Sequence, residues 1–358
     1  MPIAPPARQA GQRQRRPHVM SVDAAGGQPL QRLYGHAQGV MGLALTADGA
    51  VLASAHQDRQ VRLWDAAQRT LTRALPLHQN EVTCVAWQPG GQLLASGSID
   101  HTIQIWDAAG GQPPKVLRGH TGWLRTLRFS HDGAELISCC SDWSIRRWQI
   151  ATGGLLQTIK PGYSVWAIAL SPDAKTLAFG GTQGTVQWLR WPQGELTMTL
   201  HGHTNWVTAL AYSPDGALLA SGGSDQHLRL WDAHGGHCLH TLQGHSSWIY
   251  GMAFSPDGAR LATAGADRTI CVWDVQRPHL LYSLHDHSLE VRAILFTPDG
   301  RTLISGSADD TIRWWDVASG QCLATRQAPR PYEGMQLAGA TGLTPAQVTT
   351  LMALGAVN

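Results

Sequence analysis

Lysine is almost missing from this 358-residue chain, since only Lys115, Lys160 and Lys175 stand among its 27 basic residues. With the abundance of alanine and glycine, that points to a GC-rich, bacterial genome. No apolar run approaches the roughly 18–20 residues that cross a bilayer as a helix, so no membrane span is expected. The first twenty residues are rich in Arg and Pro but lack an apolar core, which argues against a secretory signal and makes residues 1–27 an expected disordered leader with part of a repeat. Cysteine is sparse: Cys84, Cys139, Cys140, Cys238, Cys271 and Cys322 include no C-x-x-C pair, and most fall inside apolar strand patterns. Free cysteine there acts as a small hydrophobe, so no disulfide and a reducing, cytoplasmic compartment are expected. The formal net charge of +2 gives no global pull towards nucleic acid or an anionic membrane. No G-x-x-x-x-G-K-[ST] phosphate loop is present.

What recurs instead is a spacing. Within Gly202–Asp232, the residues His203, Ser221, Asp225 and Trp231 stand 18, 4 and 6 positions apart. The same intervals return as His36, Ser54, Asp58, Trp64; His78, Ser96, Asp100, Trp106; His120, Ser138, Asp142, Trp148; His245, Thr263, Asp267, Trp273; and His287, Ser305, Asp309, Trp315. A further segment keeps the length and the hydrophobic pattern but puts Pro161, Phe179, Gln183 and Leu189 at the four positions. The period of 41 or 42 residues fills His36 to Asp316 without a linker, so one closed array is expected rather than the two or three domains that length alone allows.

Each unit carries short apolar runs separated by turn residues, a pattern of small antiparallel strands. In the reference unit these runs are WVTALAY, LLASGG, LRLW and CLHTL, with Ser213-Pro214-Asp215-Gly216 as a hairpin turn between the first two. Four strands per unit at this period make a blade, and such blades pack radially around a channel. The Gly-His pairs at Gly35, Gly119, Gly202 and Gly244, with the Trp-Asp pairs at Trp64, Trp106, Trp231, Trp273 and Trp315, resemble the WD-repeat (WD40) β-propeller family over about four fifths of the chain. The resemblance implies an all-β, seven-bladed WD40 propeller over 28–326, followed by a C-terminal tail over 327–358. It also implies a hydrogen-bonded tetrad of His, Ser or Thr, Asp and Trp in each blade, and a partner-binding face on the tetrad side.

The ends carry two further expectations. Val22 to His36 parallels Trp106 to His120, so the chain begins with the tail of a repeat, and Leu30–Tyr34 is a candidate outer strand for the last blade. Gln321–Thr325 competes for that edge; closure by the N-terminal strand is the favoured reading because it removes an open edge and ties the termini. Thr344-Pro345-Ala346-Gln347 reads as an N-cap, an N1 proline and a capping-box Gln, which predicts a short helix over 345–354 with Val348, Leu351 and Met352 on one face. The run Pro331–Asn358 resembles C-terminal tails of bacterial WD-repeat proteins of the STAND type, in which an NB-ARC or NACHT NTPase switch is joined to a sensor propeller.

Function is sought in what varies around the repeat. Three residues past each His position come Gly39, Glu81, Trp123, Ser164, Trp206, Trp248 and Glu290, and five past come Met41, Thr83, Arg125, Trp166, Thr208, Tyr250 and Arg292. Trp123, Arg125, Trp166, Trp206, Trp248, Tyr250 and Arg292 are therefore the expected partner-binding residues, because Trp, Tyr and Arg dominate binding hot spots. Inter-blade packing is the alternative for the tryptophans. The Ser, His and Asp of the repeat also invite a catalytic-triad reading, but a set repeated in six units is explained as scaffold, and no nucleophile-elbow motif surrounds these serines. The fourth unit, with Tyr163, Trp166, Trp188 and Trp191, is either drift towards apolar packing or a specialised docking blade. His234, His237, Cys238 and His240 carry metal-capable side chains, yet strand alternation separates them. The expected protein is thus a monomeric, non-enzymatic scaffold or sensor with a protein partner, without cofactor or metal and without nucleic acid or membrane as a partner; the alternatives are a propeller separated from a larger signalling NTPase and an enzyme that uses the channel.

Overall fold

A computed structural model of the chain describes Val19–Val22, Pro29–Leu33, 39–76, 78–110, 112–327, Leu337, 344–353 and 356–357. The chain divides into two compact units, one of Ala37–Ala328 and one of Met1–His36 with Pro329–Asn358. The larger unit holds seven four-stranded antiparallel sheets, with strands between residues 40–76, 82–117, 124–159, 165–200, 207–243, 249–284 and 291–327. In the fifth, Val207–Tyr212 pairs with Leu218–Gly223, that strand with His227–Asp232, and that one with Cys238–Gln243. The first strand of every sheet touches the first strands of its two neighbours, including seventh to first, so the unit is a closed seven-bladed β-propeller.

Local chemistry explains the blade. In five blades the turn between the first and second strands repeats one device, which the fifth shows: the hydroxyl of Ser213 donates to Asp215 at 2.5 Å, Asp215 accepts the Ala217 N–H at 3.0 Å, and Gly216 takes φ 74°. The second blade has Gln88-Pro89-Gly90-Gly91 there, and the fourth puts Ala174 at the glycine's place. Only glycine occupies that left-handed region at no steric cost. The core lies between blades rather than within one, because a thin sheet has two faces to cover. Ala53, Val61 and Leu63 of the first blade share a cluster with Val82, Val85 and Leu94 of the second. The seam is built alike: Val40, Leu52 and Trp64 of the first blade pack with Ile304, Ile312 and Trp314 of the seventh.

The last blade corrects one expectation. Its outer strand is Cys322–Gln327, paired with Thr311–Asp316, while Pro29–Leu33 pairs with Val19–Val22 in a separate hairpin. The physical reason is loop closure: a strand that follows Asp316 after a short turn reaches the edge at far less entropic cost than one nearly three hundred residues away. Val19–Val22 also lies inside the leader expected to be disordered; the rest of residues 1–27 falls outside the described residues. In the smaller unit the helix runs Pro345–Ala353, and its capping box is present, with Gln347 accepting the Thr344 N–H at 2.7 Å and Thr344 Oγ1 accepting the Gln347 N–H at 3.3 Å. Val348 and Leu351 pack with Leu337 and Ala356. Met352, expected on the same face, is exposed.

Candidate functional site

Among the described residues five blades carry the tetrad in full. In the fifth, His203 Nδ1 lies 2.9 Å from Asp225, His203 Nε2 lies 2.7 Å from Ser221 Oγ, and Trp231 Nε1 donates to Ser221 Oγ at 2.8 Å. The sets built on His78, His120, His245 and His287 repeat this with His–Asp contacts of 2.9–3.0 Å and His–hydroxyl contacts of 2.7–2.8 Å. An ionised carboxylate can only accept, so Nδ1 carries the proton, Nε2 accepts from the hydroxyl, and the hydroxyl oxygen accepts the indole N–H. Burial on its own pushes Asp225 up, but the His203 ring and the N–H groups of Thr204 and His227 outweigh it and hold the carboxyl at about 2. Asp100, Asp142, Asp267 and Asp309 are likewise held below the usual range against their burial. Burial lowers His120 and His203, which keeps those rings neutral despite the neighbouring carboxylate.

The first blade departs from the expected set. His36 lies outside the described residues. The imidazole bonded to Ser54 Oγ, at 2.7 Å from Nε2, belongs to His56, and Trp64 Nε1 donates to the same oxygen at 2.8 Å. Asp58 is held by Arg62, whose Nη1 donates to it at 3.1 Å. His56 was missed because it stands two residues past the Ser rather than at the repeat interval. In the fourth blade Phe179 and Leu189 do fill tetrad positions, with Tyr163 stacked on Phe179 at a centroid distance of 6.2 Å and Trp191 in the same cluster. Tyr163, Trp188 and Trp191 are buried, so of that blade's aromatics only Trp166 reaches towards the mouth.

The tetrads therefore fix strands. Ser221 is fully buried and its oxygen already takes the Trp231 proton, so no carbonyl can approach it as a substrate would. Among the described residues one trio, His120, Cys140 and Asp142, brings metal-capable atoms within 4.8 Å of one another. It does not fit a resident ion: His120 spends both nitrogens on Asp142 and Ser138, and burial pushes the Cys140 thiol up to about 12, away from the thiolate a metal needs.

The second feature is a ring of bulges. Val207 pairs with Gly223 and Ala209 with Gly222, which leaves Thr208 without an opposite residue. The same irregularity falls at Met41, Thr83, Arg125, Trp166, Tyr250 and Arg292, the residues five past each His position. A bulge re-aims a side chain that strict alternation would place in the sheet face. All seven of these residues line the central channel, a cavity of about 200 Å³. Small residues follow each bulge, and Gly42 shows why: a Cβ there would stand 3.2 Å from the backbone of Cys84 in the next blade.

Around this mouth the expected binding residues come together. Trp166 and Trp206 have ring centroids 5.4 Å apart, Trp206 and Trp248 5.5 Å, and Trp248 and Tyr250 6.0 Å. The Arg125 guanidinium lies 3.8 Å from the centroid of Trp166 and 5.3 Å from that of Trp123, and Arg292 lies 4.6 Å from Tyr250. Arg292 also pairs with Glu290. Trp123 is 41% exposed. Sequence reasoning overlooked Trp143, which is 56% exposed on the turn after Asp142 and held at φ 65°. Its counterparts Arg59, His101, Gln226, Arg268 and Asp310 are left-handed as well, with φ of 68–75°, so the signal in the sequence is a large aromatic at the turn position where the other blades carry polar residues.

The geometry defines a class first: a seven-bladed propeller whose blades are locked by buried polar tetrads. The family model for the WD domain, G-beta repeat (WD40), matches residues 27–65, 69–107, 111–149, 194–232, 236–274 and 278–316. The chain belongs to the WD40 family, and the stretch those matches skip, 150–193, holds the first three strands of the fourth blade. No curated protein matches the chain. WD40 propellers are generally protein-interaction scaffolds, and no helix among the described residues is long and apolar enough to cross a membrane.

Proposed function

We propose that this protein is a non-enzymatic interaction scaffold or sensor that takes a protein partner on the tetrad-side face. Trp123, Arg125, Trp166, Trp206, Trp248, Tyr250 and Arg292 form the contact surface. The observation that carries the reading is the unbroken chain of ring contacts from Trp166 through Trp206 and Trp248 to Tyr250, set on half-exposed positions at the channel mouth. Aromatic groups held against one another lose little rotamer entropy on binding, which is why such residues anchor interfaces. Replacing Trp206 and Trp248 together by Ala is expected to abolish capture of the partner that the native protein pulls from its own lysate, with the melting temperature unchanged. Retained capture, or an aggregated variant, refutes the reading.

A second reading, a sensor propeller of a bacterial cytoplasmic STAND-type signalling protein, is supported by the Pro331–Asn358 run and its capped helix. An NTPase domain encoded beside this propeller would support that reading, and a neighbourhood without one would count against it.

A further inference from the structure

We propose that the central channel binds a small aliphatic carboxylate, with its anionic head on Arg128 and its hydrocarbon body against the apolar channel wall. The site is separate from the aromatic mouth and does not depend on a partner docking there. Eight residues past the His positions, the other six blades carry Ala44, Ala86, Ala169, Ala211, Ala253 and Leu295. Only the third blade places a charge at this level. Arg128 lines the channel, three residues and so roughly 10 Å of strand beyond Arg125. Short side chains at that level leave room for one long one.

Nothing in the channel neutralises this guanidinium. Among the described residues its one hydrogen bond is a long one, from Nη1 to the carbonyl of Leu127 at 3.5 Å, which leaves the Nε and Nη2 edge unspent. That edge is the fork that meets a carboxylate with two parallel N–H donors. Arg128 is exposed, but to the water of the channel it lines. Enclosure lowers its pKa, and no carboxylate among the lining residues opposes that. Cys84 and Cys139 lie near enough to feel its charge, but burial pushes both thiols up, Cys84 to about 12, so neither is an anion. The other two lining cations are engaged, Arg125 stacked on Trp166 and Arg292 paired with Glu290.

The walls and the volume narrow the class of guest. Leu43, Val85, Ile168, Met252 and Ile294 line the same cavity. One guanidinium fork matches the single charge and two oxygens of a carboxylate, whereas a phosphate dianion would leave a charge unmet against hydrocarbon. A cavity of about 200 Å³ holds a body of a few carbons and excludes a nucleotide.

Isothermal titration calorimetry of the full chain tests this with butanoate, butanamide, butylammonium and inorganic phosphate at matched ionic strength. Butanoate is expected to bind one to one and about tenfold or more tighter than butanamide, as charge-assisted hydrogen bonds give; phosphate and butylammonium should bind more weakly than butanoate. Arg128→Ala gives the third blade the residue that five others carry, so it should keep the native melting temperature and lose the preference for butanoate over butanamide. Arg128→Met, which keeps the aliphatic stem, should do the same and serves if the shorter side chain lowers the melting temperature. Arg128→Lys should bind butanoate more weakly than the native protein, because charge remains but the fork is lost. Trp206→Ala with Trp248→Ala should leave butanoate binding unchanged, which separates this site from the partner surface. Absence of butanoate binding, no preference over butanamide, a preference for phosphate or butylammonium, binding that survives loss of the Arg128 guanidinium, or binding that needs the two tryptophans overturns the proposal.

Discussion

Ser221 is the most informative single residue to remove. It is fully buried, receives the Trp231 N–H at 2.8 Å and touches His203 Nε2 at 2.7 Å. Ser221→Ala leaves an indole donor and an imidazole nitrogen buried without partners, and each orphan costs about 1–3 kcal/mol, so the loss is on the order of 2–6 kcal/mol. For a domain of this size that lowers the melting temperature by roughly 5–15 °C. The fourth blade shows that the whole set can be replaced where one member cannot. A fifth blade rebuilt in its image, by His203→Pro, Asn205→Tyr, Ser221→Phe, Asp225→Gln, Arg229→Gln and Trp231→Leu, is expected to lose less than the sum of its single changes, since apolar groups leave no orphan. Thermal melts followed by circular dichroism give the totals, and hydrogen exchange of Val207–Asp232 localises them. A Ser221→Ala variant within about 0.5 kcal/mol of the native protein, the range of an ordinary surface change, would refute the reasoning, as would a sixfold variant no better than additive.

Two more outcomes test the architecture. A chain lacking residues 1–33 should melt where the full chain does, whereas deletion of Gln321–Ala328 should lower the transition sharply, because Cys322–Gln327 completes the seventh blade; the opposite order would restore the N-terminal strand as the closing element. Acid should also act through the tetrads. Asp225 sits at about 2 when folded against 3.8 for the free group, so the unfolded chain binds the proton more readily. Its stabilisation is complete above about pH 4 and drains away as pH falls towards about 2. Asp225→Asn should therefore start less stable at pH 7 but lose urea midpoint less steeply between pH 4 and 2, and parallel curves for the two proteins would exclude this account.

The scaffold was written openly in the sequence because its determinants are local and periodic. A His, a hydroxyl, an Asp and a Trp at fixed intervals, with a Pro-Asp-Gly turn between them, leave few other ways to satisfy buried polar groups. Three things escaped that reasoning. His56 was hidden because an imidazole two residues from Ser54 reaches the same oxygen that a distant one would. The closing strand could not be settled since two segments of similar pattern compete for one edge, and only chain connectivity ranks them. The bulges were invisible because hydrophobic alternation assumes an unbroken ladder. Once Val207 and Ala209 pair with consecutive residues, Thr208 and its six counterparts turn from the sheet face to the channel. Tryptophans at that mouth could be counted from the sequence, but their mutual contacts follow from the closed ring.

Those seven bulged residues have a consequence for how such a protein can change. Thr83 and Thr208 spend their hydroxyls on carbonyls of their own second strand and of the next blade, but at the other five sites the first strand has no partner opposite, so identity is more weakly tied to the ladder that holds the blade together. Met, Thr, Arg, Trp and Tyr already occupy equivalent sites in one molecule. The mouth is thus a short alphabet mounted on a constant carrier: selection can respell it one letter at a time, and a new specificity need not pass through an unfolded ancestor.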